Sequence, residues 1–247
     1  MSEFLARHLV LVRHGQSEGD VRRAMHSQPL SYSLEKHPHD EEQTSTGAKE
    51  CQLAGKWIAK YVLHEYGLET FDDFKVSPLI RTIQSAESLG INMDWQKEDR
   101  LAERDRGNIQ GMTRKQHQQE YPESFKTMLE HPFHWTPPGG ESLLRVAMRF
   151  GELVDDFLQS SNQSALFVTH RDVLWSSRVP IDKVPLDKIE LQDTDLIHNG
   201  HVVHYTNVSP LSNRAESTNL IWKRSCTPWM DSSGYVVSEW NKLTNKL

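Results

Sequence analysis

Three short runs of apolar residues lie in the first two thirds of the chain. They are apolar on both faces, a pattern typical of strands that are buried inside a parallel sheet. The predicted strands are residues 8–13, 74–76 and 165–169. The first and the last of them end directly before a histidine, His14 and His170.

Longer segments with apolar residues every three or four positions separate these runs and predict helices with one buried face. The first follows Thr46 as its N-cap and stops at Gly67. The second follows Ser77 as its N-cap and stops at Gly90. The third covers about 141–159. Because strands and helices alternate, we expect an α/β fold with a mainly parallel sheet.

The remaining segments show weaker patterns. Residues 20–45 are polar without a clear period and are predicted to form a long loop. Three C-terminal runs, at 201–205, 220–223 and 235–237, indicate antiparallel strands or irregular structure. Without an internal repeat or a low-complexity linker, residues 1–247 are predicted to form a single domain.

Composition excludes several classes of protein. The 247 residues are 36% hydrophobic and 25% charged, which is outside the disordered class. No apolar stretch is long enough for a membrane span, and a net charge of −6 without a basic tract argues against nucleic-acid binding. Two cysteines and no export signal predict reduced thiols in a cytoplasmic protein. The 13 histidines suggest a metal site or histidine chemistry.

Charged residues accompany both strand-end histidines. Arg13 precedes His14, and Arg81 lies in the first turn of the helix predicted after Ser77. Ligands of open α/β sheets bind outside the carboxyl ends of the strands, so these side chains are expected to converge there. Two arginines and two histidines at one edge repel each other unless an anion neutralises them. A phosphoryl group fits, because arginine binds it with planar, bidentate hydrogen bonds.

The run LVLVRHGQSEGD resembles the signature of the histidine phosphatase superfamily, also called the phosphoglycerate mutase-like family. Further blocks follow in that family's order: STGAKECQLAG, VSPLIRTIQSAE, LAERDRGNIQG, PPGGES and FVTHRDVL. Together they cover most of residues 8–175, and the combination is specific although RHG alone is weak. The resemblance implies a three-layer α/β/α fold and a small phosphorylated substrate. It implies no metal and no cofactor.

The resemblance also implies a role for each matching residue. His14 is the expected nucleophile and forms a phosphohistidine. Arg13, Arg81 and His170 are expected to bind the phosphoryl oxygens. His170 is also an expected catalytic residue. Glu103 is the expected proton donor to the leaving oxygen and then activates water. An alternative for Glu103 is a solvated salt bridge among its charged neighbours.

Two positions depart from the family pattern and concern the substrate. Asp20 stands where the family commonly has Asn, and it would repel a phosphate dianion unless it is protonated, turned away or paired with Arg22 or Arg23. Arg171 follows the second histidine where Gly is usual, so it either binds another acidic group or crowds the pocket. Together with Ser17, these are the candidate substrate-binding residues.

Three functions are compatible with this pattern. A phosphatase acting through a phosphohistidine is favoured. A phosphoglycerate mutase using the same site is the first alternative, and a weakly catalytic protein that binds a phosphorylated ligand in a regulatory role is the second. A metal site at His198, His201 and His204 is disfavoured, because His201 and His204 point to opposite faces of a strand. The sequence leaves the oligomeric state open.

Overall fold

A seven-stranded sheet forms the centre of the computed structural model, which describes residues 4–25, 38–189, 197–230 and 239–243. Its strand order is β3-β2-β4-β1-β5-β6-β7. The strands are β1 (His8–Arg13), β2 (Asp73–Val76), β3 (Gln96–Lys97), β4 (Ser164–Thr169), β5 (Val202–Thr206), β6 (Trp222–Cys226) and β7 (Asn241–Lys242). Strands β1 to β4 pair in parallel, and β5, β6 and β7 then extend the sheet beyond β1, each antiparallel to the neighbour on which it pairs.

Helices cover both faces of this sheet and confirm the α/β fold. They are α1 (Glu18–Met25), α2 (Ser45–Ile58), α3 (Ile80–Ser88), α4 (Arg114–Glu120), α5 (Pro122–Glu130), α6 (Leu143–Gln159), α7 (Arg171–Ser176) and α8 (Leu186–Ile189). One apolar core joins α2 and α3 to residues such as Val10 and Val12 of β1. The other joins α6 and α7 to Leu9 and Leu11, whose side chains point the opposite way.

The predicted helix starts differ from the structure by two residues. The N-cap of α2 is Thr44, whose hydroxyl accepts from the Gly47 amide at 3.1 Å, rather than Thr46. The N-cap of α3 is Leu79 rather than Ser77. The hydroxyl of Ser77 contacts His170 Nε2 at 2.7 Å instead of capping the helix, and its amide continues the pairing of β2 with β4 by donating to Val168 O at 3.0 Å.

The prediction of a loop over 20–45 is wrong at its beginning, where α1 lies. This helix has acidic residues in its first turn and basic residues in its last, an order that suits the helix dipole. Residues 26–37 lie outside the described chain. So does the predicted strand 235–237, whereas β5 and β6 confirm the other two C-terminal strands. No helix in the described ranges is long and apolar enough to cross a membrane.

Candidate active site

Parallel pairing of β1 with β4 places the two strand-end histidines side by side. The register pairs Arg13 with Thr169, so His14 and His170 leave neighbouring strands at the same edge. The His14 amide donates to Thr169 O at 2.9 Å, and the two imidazole centroids are 5.1 Å apart. The predicted convergence of the histidines therefore occurs at the carboxyl end of the parallel strands.

A backbone carbonyl orients the imidazole of His14. The carbonyl oxygen of Gly15 lies 2.7 Å from Nδ1 and can only accept, so Nδ1 carries the proton and Nε2 keeps a lone pair. Burial, followed by the positive charges of Arg81 and Arg13, lowers the pKa of His14 to about 3. The ring is thus neutral at neutral pH with Nε2 unprotonated, the state that a nucleophilic imidazole needs.

The second histidine, His170, lies between a hydroxyl and a guanidinium. Its Nε2 is 2.7 Å from Ser77 Oγ, and its Nδ1 is 3.2 Å from a terminal nitrogen of Arg81. Because a guanidinium only donates, Nδ1 accepts from Arg81 and the Nε2–H donates to Ser77. Burial and the charge of Arg81 hold the pKa of His170 well below its ordinary value. Sequence analysis missed this role of Ser77, although its place directly after β2 puts it at the same sheet edge.

Carboxylates stand behind both buried arginines. A terminal nitrogen of Arg13 donates to Asp20 Oδ1 at 3.1 Å. A terminal nitrogen of Arg81 lies 3.9 Å from Glu41 Oε2, while Arg22 donates to Glu41 Oε1 at 2.5 Å. Glu41 is itself buried, and sequence analysis missed it because it lies in a polar stretch without a period. The two carboxylates offset the cost of burying positive charge beside the histidines.

Asp20 is paired on both of its carboxylate oxygens. Oδ1 accepts from Arg13 and from Arg23, the latter at 2.7 Å. Oδ2 accepts from the Asn199 amide at 3.0 Å and from the amide and hydroxyl of Ser17 at 2.9 and 2.8 Å. Burial acts to raise the pKa of this carboxyl, but the cationic groups around it hold it well below its usual range. The negative charge of Asp20, which would repel a phosphate, is therefore paired with groups of the protein itself. Ser17, which faces Asp20, is fully buried.

Glu103 reaches the site from the segment after the short 3-10 turn Asp99–Leu101. Its Oε2 lies 3.9 Å from His170 Nδ1, and its side chain is 26% exposed. Burial of the carboxyl and the negative charge of Asp172 raise its pKa, although Arg81 opposes the shift. A raised carboxyl pKa is what a general acid needs near neutral pH. Glu103 therefore lies within the site and is not one of the solvent-facing ion pairs beside it.

A cavity of about 240 Å³ opens beside Arg13. Its wall includes Arg171 from the start of α7, Gln16 from the loop after β1, Glu50 from α2 and Trp229 from beyond β6. Arg171 is exposed and extends toward solvent-accessible space. The departure at position 171 therefore adds a cation to the wall of this cavity.

A sequence model of the histidine phosphatase superfamily (branch 1) matches residues 9–207. The chain belongs to this superfamily. The match confirms the resemblance of the RHG run, and it extends through β5 to the region beyond the motifs that sequence analysis used. Members of the superfamily include both phosphatases and mutases, as the individual relatives show.

Two curated relatives illustrate this range of activities. The chain is 34% identical over 119 residues to phosphoserine phosphatase 1 of Hydrogenobacter thermophilus, a match that spans 47% of this chain and 56% of the relative. It is 25% identical over 196 residues to the 2,3-bisphosphoglycerate-dependent phosphoglycerate mutase of Rhizobium etli. This alignment covers 75% of this chain and 83% of the relative.

Solved structures of histidine phosphatases share the fold. A mycobacterial glucosyl-3-phosphoglycerate phosphatase superposes with a TM-score of 0.62 at 22% identity, covering 82% of this chain and 91% of that one. The alpha-ribazole phosphatase of Shigella flexneri gives a TM-score of 0.62 at 17% identity, covering 86% and 98%. At these identities the likeness establishes the fold, and the substrate has to be inferred from the pocket.

Proposed function

We propose that the protein is a phosphatase that hydrolyses a small phosphorylated metabolite through a phosphohistidine at His14, without a metal. One observation carries the proposal above the others. The Nδ1–H of His14 is tied to the Gly15 carbonyl, while Nε2 makes no hydrogen bond to any residue in the described ranges and lies among buried cations. This is the arrangement that a nucleophilic imidazole requires.

In the first step, Nε2 of His14 attacks the phosphorus atom and the bond from phosphorus to the ester oxygen breaks. The electron pair of that bond goes to the leaving oxygen, which takes the proton of the Glu103 carboxyl. Arg13 and Arg81 stabilise the charge on the phosphoryl oxygens during the transfer. The dianion also offsets part of the positive charge that, after burial, depresses the pKa of His170; donation from His170 to the same group requires its Nδ1 to take a proton and to give up the hydrogen bond that it accepts from Arg81.

In the second step, water hydrolyses the phosphohistidine. The Glu103 carboxylate takes a proton from water, the water oxygen attacks phosphorus, and the bond between nitrogen and phosphorus breaks. Inorganic phosphate leaves, and His14 and the Glu103 carboxyl return to their initial protonation states. The partial exposure of Glu103 gives water access to the position that this step needs.

A phosphoglycerate mutase is the second candidate, because mutases occur among the curated relatives. A mutase returns the phosphoryl group to a second hydroxyl and must exclude water from the phosphohistidine. We expect hydrolysis of 3-phosphoglycerate, or of another phosphomonoester, to exceed its isomerisation. Isomerisation that outpaces phosphate release, and that depends on added 2,3-bisphosphoglycerate, would instead support the mutase.

The decisive experiment measures p-nitrophenyl phosphate hydrolysis in the presence of EDTA, followed by rapid quenching at alkaline pH to trap phosphohistidine. We expect turnover with EDTA and a phosphorylated His14 on peptide mapping. A regulatory phospho-ligand-binding protein would show neither turnover nor the adduct. A panel of phosphorylated acids, sugars, nucleotides and phosphotyrosine would then rank substrates by kcat/KM.

A further inference from the structure

The cavity beside Arg13 adjoins the arginine that the proposed mechanism assigns to the phosphoryl group, and its charged side chains differ in their hydrogen bonding. Arg13 already has hydrogen-bond partners, because its terminal nitrogens donate to Asp20 at 3.1 Å and to the Ile197 carbonyl at 2.6 Å. Glu50 is hydrogen-bonded as well, since its Oε2 accepts from the backbone amide of Gln16 at 2.7 Å. Both terminal nitrogens of Arg13 and one oxygen of Glu50 thus already have hydrogen-bond partners within the protein.

Arg171 is different from these neighbours. Its guanidinium makes no hydrogen bond and no ion pair with any residue of 4–25, 38–189, 197–230 or 239–243. The neighbouring acid, Asp172, is paired instead with Arg106 at 3.1 Å. Arg171 also contributes to lowering the pKa of Arg13, so the two positive charges are close enough to influence each other. The pocket therefore presents a cation without an ion-pair partner in the described ranges, in the same wall as Glu50 and next to Arg13.

We propose that Arg171 binds a carboxylate on the leaving group, so that the substrate is a small phosphorylated carboxylic acid. This inference rests on the proposed phosphatase function and names the substrate class of the same site. A guanidinium matches a carboxylate in a planar, bidentate geometry. The volume of about 240 Å³ is below the range of about 300–1,000 Å³ typical of pockets for drug-sized ligands, which favours a leaving group of a few carbon atoms.

The test compares substrates that differ only in the carboxylate. One pair is 3-phosphoglycerate and glycerol 1-phosphate, and a second is O-phosphoserine and O-phosphoethanolamine. In the wild-type protein we expect kcat/KM to be about tenfold higher for the acid of each pair, the size of effect that one charge-assisted hydrogen bond gives. Fructose 1,6-bisphosphate and fructose 6-phosphate form a third pair, in which the second anion is a phosphate.

Arg171→Gln should lower the ratio of acid to uncharged analogue about tenfold, mainly through KM, and Arg171→Lys should restore part of it. Arg214→Gln is the matched control, because Arg214 is exposed in the loop after β5, at the opposite end of the sheet. An unchanged ratio in Arg171→Gln would overturn the inference, as would a preference confined to the bisphosphate pair.

The experiment distinguishes a wrong substrate class from a wrong proposed function. If the wild-type protein hydrolyses p-nitrophenyl phosphate but does not prefer the acids, the carboxylate site is wrong and the phosphatase remains. If it hydrolyses no phosphomonoester, the phosphatase proposal itself is wrong.

Discussion

Strand β1 has a buried histidine pair at each end, and the two pairs are chemically different. His14 and His170 form the site pair, with ring centroids 5.1 Å apart. His8 and His204 form the opposite pair, with centroids 5.4 Å apart. Burial lowers the pKa in both, to about 3 at His14 and to about 4 at His8. Residue type, burial and pKa direction therefore do not distinguish a reactive pair from a structural one.

The surroundings distinguish them. In the opposite pair, His8 Nδ1 and His204 Nε2 are 3.2 Å apart and hydrogen-bond to each other. Tyr66 and Trp240 lie against these rings at 4.3 and 5.1 Å, and Arg224 stacks over Trp240. In the site pair, a carbonyl and a hydroxyl hold one nitrogen of each ring. The Nε2 of His14 consequently keeps its lone pair free of hydrogen bonds to the described residues, beside two arginines, which is the condition for nucleophilic chemistry.

The largest expected effect is a loss of activity when a histidine of the site pair, but not one of the opposite pair, is substituted. His14→Ala should lower kcat for p-nitrophenyl phosphate about 10⁴-fold or more, because the nucleophile is lost. His8→Gln should leave kcat within about twofold and lower the free energy of unfolding by about 1–3 kcal/mol, the cost of disrupting a buried hydrogen bond. Steady-state kinetics and urea denaturation check both. Equal losses of activity in the two variants would contradict the division between the pairs.

The next effect concerns Glu103 as proton donor. Glu103→Gln should lower kcat about 10²- to 10⁴-fold for an alkyl phosphate and much less for p-nitrophenyl phosphate, whose leaving group needs no proton. In the wild type, kcat/KM for the alkyl phosphate should fall as pH rises through the pKa of Glu103, which lies above its ordinary value. The variant should lack this decline. An equal loss for both leaving groups would argue against acid catalysis by this carboxyl.

A smaller effect lies in the pH dependence of stability at the opposite pair. The pKa of His8 is about 4 in the folded protein and about 6.5 unfolded, so the unfolded chain binds more protons between these values. The contribution of neutral His8 is full above pH 6.5 and decreases as pH falls toward 4, by roughly 3 kcal/mol in total. The stability difference between wild type and His8→Gln, measured in urea from pH 7 to 4, should shrink accordingly. A constant difference would contradict the lowered pKa.

The smallest effect concerns the carboxylate behind Arg81. Glu41→Gln keeps the shape but removes the charge 3.9 Å from the guanidinium, so Arg81 should be less well positioned. We expect KM for p-nitrophenyl phosphate to change about threefold to tenfold, with a smaller change in kcat. Glu42→Gln is the matched control, because Glu42 is exposed beside it. A control that changes KM as much would point to general surface charge.

Much of the active site could be predicted because it lies where buried strands end. The alternation of apolar runs located β1, β2 and β4, and the rule for parallel sheets brought His14 and His170 to one edge. The same pattern failed for α1, because a short charged helix has little hydrophobic periodicity. It also failed for Ser77, since a serine before a proline favours a helix cap until sheet pairing is known.

The sequence by itself determined the α/β fold and the superfamily, and it predicted which residues would carry phosphoryl chemistry, because burial patterns and short motifs are local properties. The tertiary structure decided which charges are paired. Glu41 lies 40 positions before Arg81, and Asn199 lies 179 positions after Asp20, so neither partnership leaves a local signal. Arg171 likewise has no local signal for its role. Only the packing of distant segments shows that its neighbours are paired with other residues while Arg171 itself lines the pocket.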